Sequence, residues 1–130
     1  MSEHGMPANG EFCWNELATA DAEAAKKFYA GLFGWEYKTG DVEGVAYNEI
    51  VVNGRPIGGI HQMGAEFGTA PPHWMGYVAV GDVDASARMV EELGGKVCVP
   101  PTDIPKVGRF CVINDPTGAT MSLITLSPHE

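Results

Sequence analysis

Apolar and polar positions along this chain switch between two periods, and the order of the switches occurs twice. Phe12 to Thr19 alternate at period two, which predicts a strand with Phe12, Trp14 and Glu16 on one face and Cys13, Asn15 and Leu17 on the other. Asp21 follows as an N-cap, and Ala24, Ala25, Phe28, Tyr29 and Leu32 recur at helical spacing until Gly34 closes the helix. Strands are expected near residues 35–39, 47–52 and 56–63, the last weakened by Pro56 and Gly58-Gly59. The second half repeats the order. A strand is expected over 73–80, and Asp82 caps a helix that turns Val83, Ala87, Val90 and Leu93 inward and ends at Gly94-Gly95. A strand over 96–99 and a rigid Pro-Pro-Thr-Asp-Ile-Pro loop come next. Residues 107–126 then form a hairpin about Asp115-Pro116-Thr117-Gly118, matching the hairpin about Asn53-Gly54. Leu-Phe-Gly-Trp at 32–35 and Leu-Gly-Gly-Lys at 93–96 mark the helix exits, at an offset of 61 residues.

The predicted fold class is therefore α+β: two βαβββ repeats, over about residues 11–63 and 73–127, joined by a Gly/Pro-bearing linker at 64–72. One such unit is small for an independent core, so the repeats are expected to make a single domain. Their curved mixed sheets would enclose a cleft, helices outside, and a cleft between repeats is a natural ligand site.

Charge and composition narrow the partners. Seventeen acids against eight bases give a net charge of −9, spread over both halves, which argues against nucleic acid and anionic membrane surfaces. No apolar run reaches membrane-spanning length and residues 1–11 show no signal pattern, so a cytoplasmic protein is expected. Cys13, Cys98 and Cys111 fall in apolar strand-like runs without metal spacing and read as reduced, buried thiols.

The first half has the form W-x-E-L-x-T-x-D-x-x-x-A-x-x-F-Y-x-x-L-F-G-W. With VGDVDASARMVEELGGKVCVPPTDIPKVGRF and DPTGA, it resembles the vicinal oxygen chelate superfamily. That superfamily includes glyoxalase I, extradiol dioxygenases, fosfomycin-resistance enzymes and bleomycin-binding proteins, and the likeness is strongest to its glyoxalase-like hydroxylase or antigen branch. The resemblance implies a divalent cation held from the first and last strand of each repeat. Carried over one position at a time, those ligands land on Trp14, Gly58, Gly76 and Ser122. One weak neutral oxygen among four residues holds no divalent cation, so neither a metal nor any other cofactor is expected.

Strand parity with those positions turns Trp14 and Glu16 into the cleft, sets Trp74 and Val78 beside Gly76, and sets Thr120 and Ile124 beside Ser122. The expected ligand-binding set is thus Trp14, Glu16, Gly58, Trp74, Gly76 and Ser122, taking a small planar organic molecule between indole faces. Glu16 is a candidate general base, or else a structural partner of Arg109 or of a backbone donor. His61 falls off the cleft face by parity, unless Gly58-Gly59 bulges and re-aims it. The alternative function is a lyase, isomerase or dioxygenase of the same superfamily, either Glu-based or with a displaced metal on Glu16, His61 and His73. Asp103 reads as a turn former. The resemblance also implies a homodimer.

Overall fold

The computed structural model describes residues 7–42, 45–64, 70–104 and 107–127, with the backbone alone at 41, 42, 45 and 46. Part of the expected linker, 65–69, lies outside the described residues. The elements run β1 (Phe12–Thr19), α1 (Ala22–Phe33), β2 (Glu36–Val42), β3 (Val45–Val52) and β4 (Arg55–Gln62). They continue as β5 (His73–Ala79), α2 (Val83–Glu92), β6 (Lys96–Ile104), β7 (Gly108–Asn114) and β8 (Thr120–Leu126). This is βαβββ twice. The chain forms two compact units: an N-terminal one, Trp14–Met75, and a C-terminal one of Gly76–Glu130 with Met1–Cys13.

In the N-terminal unit the strands lie in the order β2-β3-β4-β1, antiparallel except for the parallel β4–β1 pair. Helix α1 starts where expected, with Asp21 Oδ1 accepting from the Ala24 amide at 3.0 Å, and ends at Gly34 in the left-handed conformation. The amide of Gln62 at the end of β4 completes the start: its Oε1 accepts from Ala22 N at 2.9 Å and its Nε2 donates to the Ala20 carbonyl. Leu17, Ile50 and Ile60 of the strands pack with Ala22 of α1, flanked by Ala25, Tyr29, Trp35 and Tyr37. Only part of the predicted stripe is covered, because Phe28 and Leu32 are exposed.

The C-terminal unit has the same topology, β6-β7-β8-β5, with β5 and β8 parallel. Asp82 Oδ1 accepts from the amides of Asp84 and Ala85, at 3.1 and 3.2 Å. Thr125 of β8 takes the part that Gln62 takes in the other unit, its Oγ1 accepting from Val83 N at 2.9 Å. Val83, Ala87, Cys111, Ile113 and Leu123 form the core, whereas Leu93 is exposed. Strand β6 runs on through Pro100-Pro101, where a loop was expected. It is an edge strand with two register shifts, where missing amide donors are tolerated.

The hairpins differ in one decisive respect. Asn53 and Gly54 both have positive φ, 53° and 78°, as a two-residue primed turn requires. Beyond it the β3–β4 register slips: Val51 pairs with Pro56 but Ile50 pairs with Gly58, leaving Ile57 as a bulge. In β7–β8 the register runs unbroken from Asn114↔Thr120 to Gly108↔Leu126. The two last strands therefore correspond at an offset of 63 beyond the bulge, Gln62 with Thr125 and Gly59 with Ser122. The 64 that aligns the turn glycines holds only before it. Every side chain after the bulge therefore takes the face opposite the one that simple alternation along the strand predicts.

Candidate functional site

Each sheet has one face under its helix and one free of it. In the N-terminal unit Leu17, Ile50 and Ile60 pack toward α1. Alternation along the paired strands then puts Trp14, Glu16, Tyr47, Gly59 and His61 on the helix-free face. There they form a connected array. Trp14 Nε1 donates to Tyr47 Oη at 2.9 Å, and Tyr47 donates to Glu16 Oε2 at 2.7 Å. The other carboxylate oxygen, Glu16 Oε1, lies 3.7 Å from His61 Nε2. The imidazole stacks on the Tyr47 ring at 6.4 Å between centroids and 21° between planes. All four side chains are half-buried. A carboxylate bracketed by a phenol and an imidazole is held in one orientation, and so is the indole whose N–H is fixed by that phenol.

Gly59 makes room for the array. A Cβ built there would stand 1.8 Å from Tyr47 Oη and 2.2 Å from Cζ, so the phenol crosses the strand where a side chain would otherwise be. Gly58, one residue earlier, faces the other way. Its Cβ would meet the Asn15 carbonyl oxygen at 2.2 Å and Ile50 Cδ1 at 3.6 Å, on the helix-bearing side.

The bulge thus corrects two expectations. Gly58 lies off the helix-free face, and His61, expected off it, stands beside Glu16. Trp74 is a third correction. It meets Tyr29 of α1 at 5.7 Å and Trp35 at 6.1 Å between ring centroids, both edge-on, on the face opposite Trp14. A ligand sandwiched between Trp14 and Trp74 is not what the N-terminal unit builds. Trp74 and Gly58 instead line an apolar groove of about 320 Å³ with Asn15, Trp35, Ile50 and Ile57.

In the C-terminal unit Val78 packs with the α2 core, so Gly76, two residues before it, takes the helix-bearing face as well. Tyr77 pairs with Ser122 across β5–β8, and these two face away from α2. Ser122 is fully buried, and among the described residues its Oγ has no hydrogen-bond partner. Counting 61 residues from Trp14, by the offset of the helix caps, reaches Met75 rather than Gly76. The same offset carries Glu16 to Tyr77. Tyr47 went unsuspected in the sequence, although a Gly-Gly pair inside a strand signals close approach by something bulky.

Arg109 is not the partner of Glu16. Its Nε and Nη2 grip the Asp84 carboxylate at 2.9 and 3.1 Å, and Nη1 donates to Asp103 Oδ1 at 3.0 Å. The fork ties the first turn of α2 to β7 and β6. The Arg109 hydrogen bonds hold the Asp84 carboxyl below its ordinary value, and those to Asp84 and Asp103 push the guanidinium up. Asp103 is therefore an ion-pair partner on β6. The thiols also differ from expectation. Cys111 is buried, Cys13 half-buried and Cys98 exposed. Burial raises the first two, with Asp84 acting further on Cys111 and Glu11 on Cys13.

Among the described residues the superfamily's divalent cation finds no fitting donor set in either unit. Glu16 and His61 are two donors, fewer than the three protein ligands of ordinary catalytic sites, and Tyr77 and Ser122 bear neutral hydroxyls. Among the described residues no three of His, Cys, Asp and Glu come together as a metal group, with or without His73.

Comparison with known proteins settles the family. The model of the glyoxalase/bleomycin resistance protein/dioxygenase superfamily matches residues 12–123. The chain belongs to that superfamily. Within the glyoxalase superfamily it is 43% identical to CFP32 of Mycobacterium tuberculosis, named as a candidate glyoxylase, over 95% of this chain and 51% of that protein. It is 35% identical to the anthracycline biosynthesis protein DnrV of Streptomyces peucetius, over 94% of this chain and 43% of that one. The chain thus spans about half the length of these relatives. Among solved structures it is similar in fold to a hypothetical protein, BH1468, of Bacillus halodurans, with a TM-score of 0.72 and 10% identity over 95% of this chain and 99% of that one. A Streptomyces coelicolor methylmalonyl-CoA epimerase gives a TM-score of 0.67 at 19% identity, over 92% of this chain and 99% of that one. Among the described residues no helix is long and apolar enough to cross a membrane.

Proposed function

We propose that this glyoxalase-superfamily chain binds a small planar organic molecule on the helix-free face of its N-terminal unit. The flat part of the ligand lies against Trp14, and a cation or hydrogen-bond donor of the ligand meets Glu16. The observation that carries the reading is the Trp14–Tyr47–Glu16–His61 array, in which a half-buried carboxylate and an indole are oriented by one shared phenol. Burying a carboxylate is costly unless it is bonded or used, and fixing an aromatic ring beside it removes an entropy cost from stacking. The relatives named for anthracycline biosynthesis support flat fused-ring compounds as the class to try first.

The magnitudes are modest. Stacking on one indole contributes about 1 kcal/mol beyond area burial, and a bond from a donor to a charged carboxylate about 2 kcal/mol. Removal of the indole should therefore weaken binding about fivefold or more, and removal of the carboxylate's charge about thirtyfold. The test is titration of the protein with acridines, quinolinium salts and aminoanthraquinones, followed by fluorescence and calorimetry, in wild type, Trp14→Ala and Glu16→Gln. Binding that weakens in both variants supports the reading. No binding by any compound, or equal affinity in all three proteins, overturns it.

A further inference from the structure

The helix-bearing face of the N-terminal unit has its own concavity, the groove of about 320 Å³ lined by Asn15, Trp35, Ile50, Ile57, Gly58 and Trp74. Its most buried members are Ile50 and Gly58, and its exposed apolar members are Ile57 and Trp74. A side chain cannot close it from Gly58, because a Cβ there would stand 2.2 Å from the Asn15 carbonyl oxygen. The groove therefore follows from how β4 lies beside β1 and is not a gap that a larger residue at this position could fill.

Its two indoles form a corner. Trp35 is held by Tyr29, stacked at 5.2 Å and 29°, and by Phe33 at 5.1 Å. Trp74 stands across it at 6.1 Å between centroids and 79° between planes. A flat ring laid parallel to Trp74 meets Trp35 nearly edge to face, so one ligand makes both preferred aromatic contacts. An apolar cavity of about 150 Å³ holds one benzene, so this groove has room for two fused rings.

Asn15 supplies a polar anchor. It shares a strand face with Leu17, which lies in the core. Asparagine is disfavoured in strands, and here it stands on the apolar side of one. Its exposed amide presents a donor and an acceptor side by side, which another amide matches in reverse. Among the described residues no charged side chain lines the groove, in a chain of net charge −9. An anion is repelled by the chain as a whole, and any ion would lose hydration against indole and isoleucine without a counter-charge. The complementary ligand is neutral.

We propose that this groove is a second binding site, for a neutral molecule of two fused aromatic rings that bears an amide or lactam. The rings lie against Trp74 and Trp35, and the amide pairs with Asn15. The site is on the face opposite Trp14 and Glu16 and selects by a different rule, neutrality in place of positive charge.

Heteronuclear NMR titration of the full chain with 2-naphthamide and with quinolin-2-one reads the site directly. Trp14, Trp35 and Trp74 are the chain's three tryptophans, and each gives its own indole N–H signal. Saturable shifts are expected at Trp35, at Trp74 and at the Asn15 side-chain amide, with a dissociation constant below about 1 mM. Trp74→Ala should raise that constant about tenfold or more, and Asn15→Ala about fivefold. Both positions are exposed, so circular dichroism should show unchanged folding. 2-Naphthoate, the same rings with a charge in place of the amide, should bind at least about tenfold more weakly. No saturation by about 10 mM ligand overturns the proposal, as do shifts confined to Trp14. A dissociation constant unchanged in either variant, or shared by 2-naphthoate, overturns it too. The wild-type shifts depend on no variant, and none of these outcomes decides whether a cation binds at Glu16.

Discussion

Replacing Gly59 with alanine tests whether the polar array is built as described. The new methyl would stand 1.8 Å from Tyr47 Oη, inside any real contact distance. What blocks it is the end of a side chain rather than backbone, so the phenol must leave and take two hydrogen bonds with it. The bond from Trp14 is worth about 1 kcal/mol and the bond to the Glu16 carboxylate about 2 kcal/mol. The expected destabilisation is therefore about 3 kcal/mol, a shift of the urea midpoint by about 1–2 M at the slopes usual for chains of this size. The decisive assay is a double-mutant cycle with Tyr47→Ala. In that background the methyl meets nothing, and Gly59→Ala should be neutral or stabilising by about 0.5 kcal/mol. A coupling of about 3 kcal/mol follows. A coupling below about 0.5 kcal/mol would show that Tyr47 does not occupy the space over Gly59, and the array would fall with it.

Gly58→Ala should also destabilise, but without rescue by Asn15→Ala, because the atom in the way is the Asn15 backbone carbonyl; urea melts of single and double variants compare the two. Thiol titration of native protein should label Cys98 first and Cys111 last, with all three reacting once the chain is denatured. Asp84 has a folded pKa below its ordinary 3.8, so its contribution to stability is present above that value and is lost as pH falls through the lowered one. Arg109→Gln should flatten that part of the acid-unfolding profile, and an unchanged acid limb would rule the fork out as its source.

Fold and repeat were legible because they depend on local chemistry. Asp21 and Asp82 cap their helices, Gly34 ends one, and Asn53-Gly54 and Asp115-Pro116-Thr117-Gly118 turn the hairpins. The site was less so, since it depends on which way a strand faces. Pro56-Ile57-Gly58 gives no sign of where a bulge falls, yet that bulge moved Gly58 out of the site and His61 into it. On β5 Gly76 stands six residues before Asp82, whereas Trp14 stands seven before Asp21, so the residue equivalent to Trp14 is Met75. Helical periodicity likewise says which residues of α1 share a face, not whether anything covers that face, and so Phe28 and Leu32 were expected inside.

The bulge at Ile57 has a further consequence, for how two duplicated halves can diverge. A duplicated strand normally acquires a new role by substitution, one position at a time. Here one surplus residue shifts the count of everything after it, and the bulge absorbs the shift, so that Gly59 keeps the face of its counterpart Ser122. Position-by-position averaging of the halves would mix residues from opposite faces after Pro56. Removing Ile57 would leave Gly58 opposite Ile50 and Gly59 opposite Glu49, a deletion that brings both hairpins to one offset while Gly59 and His61 keep their face.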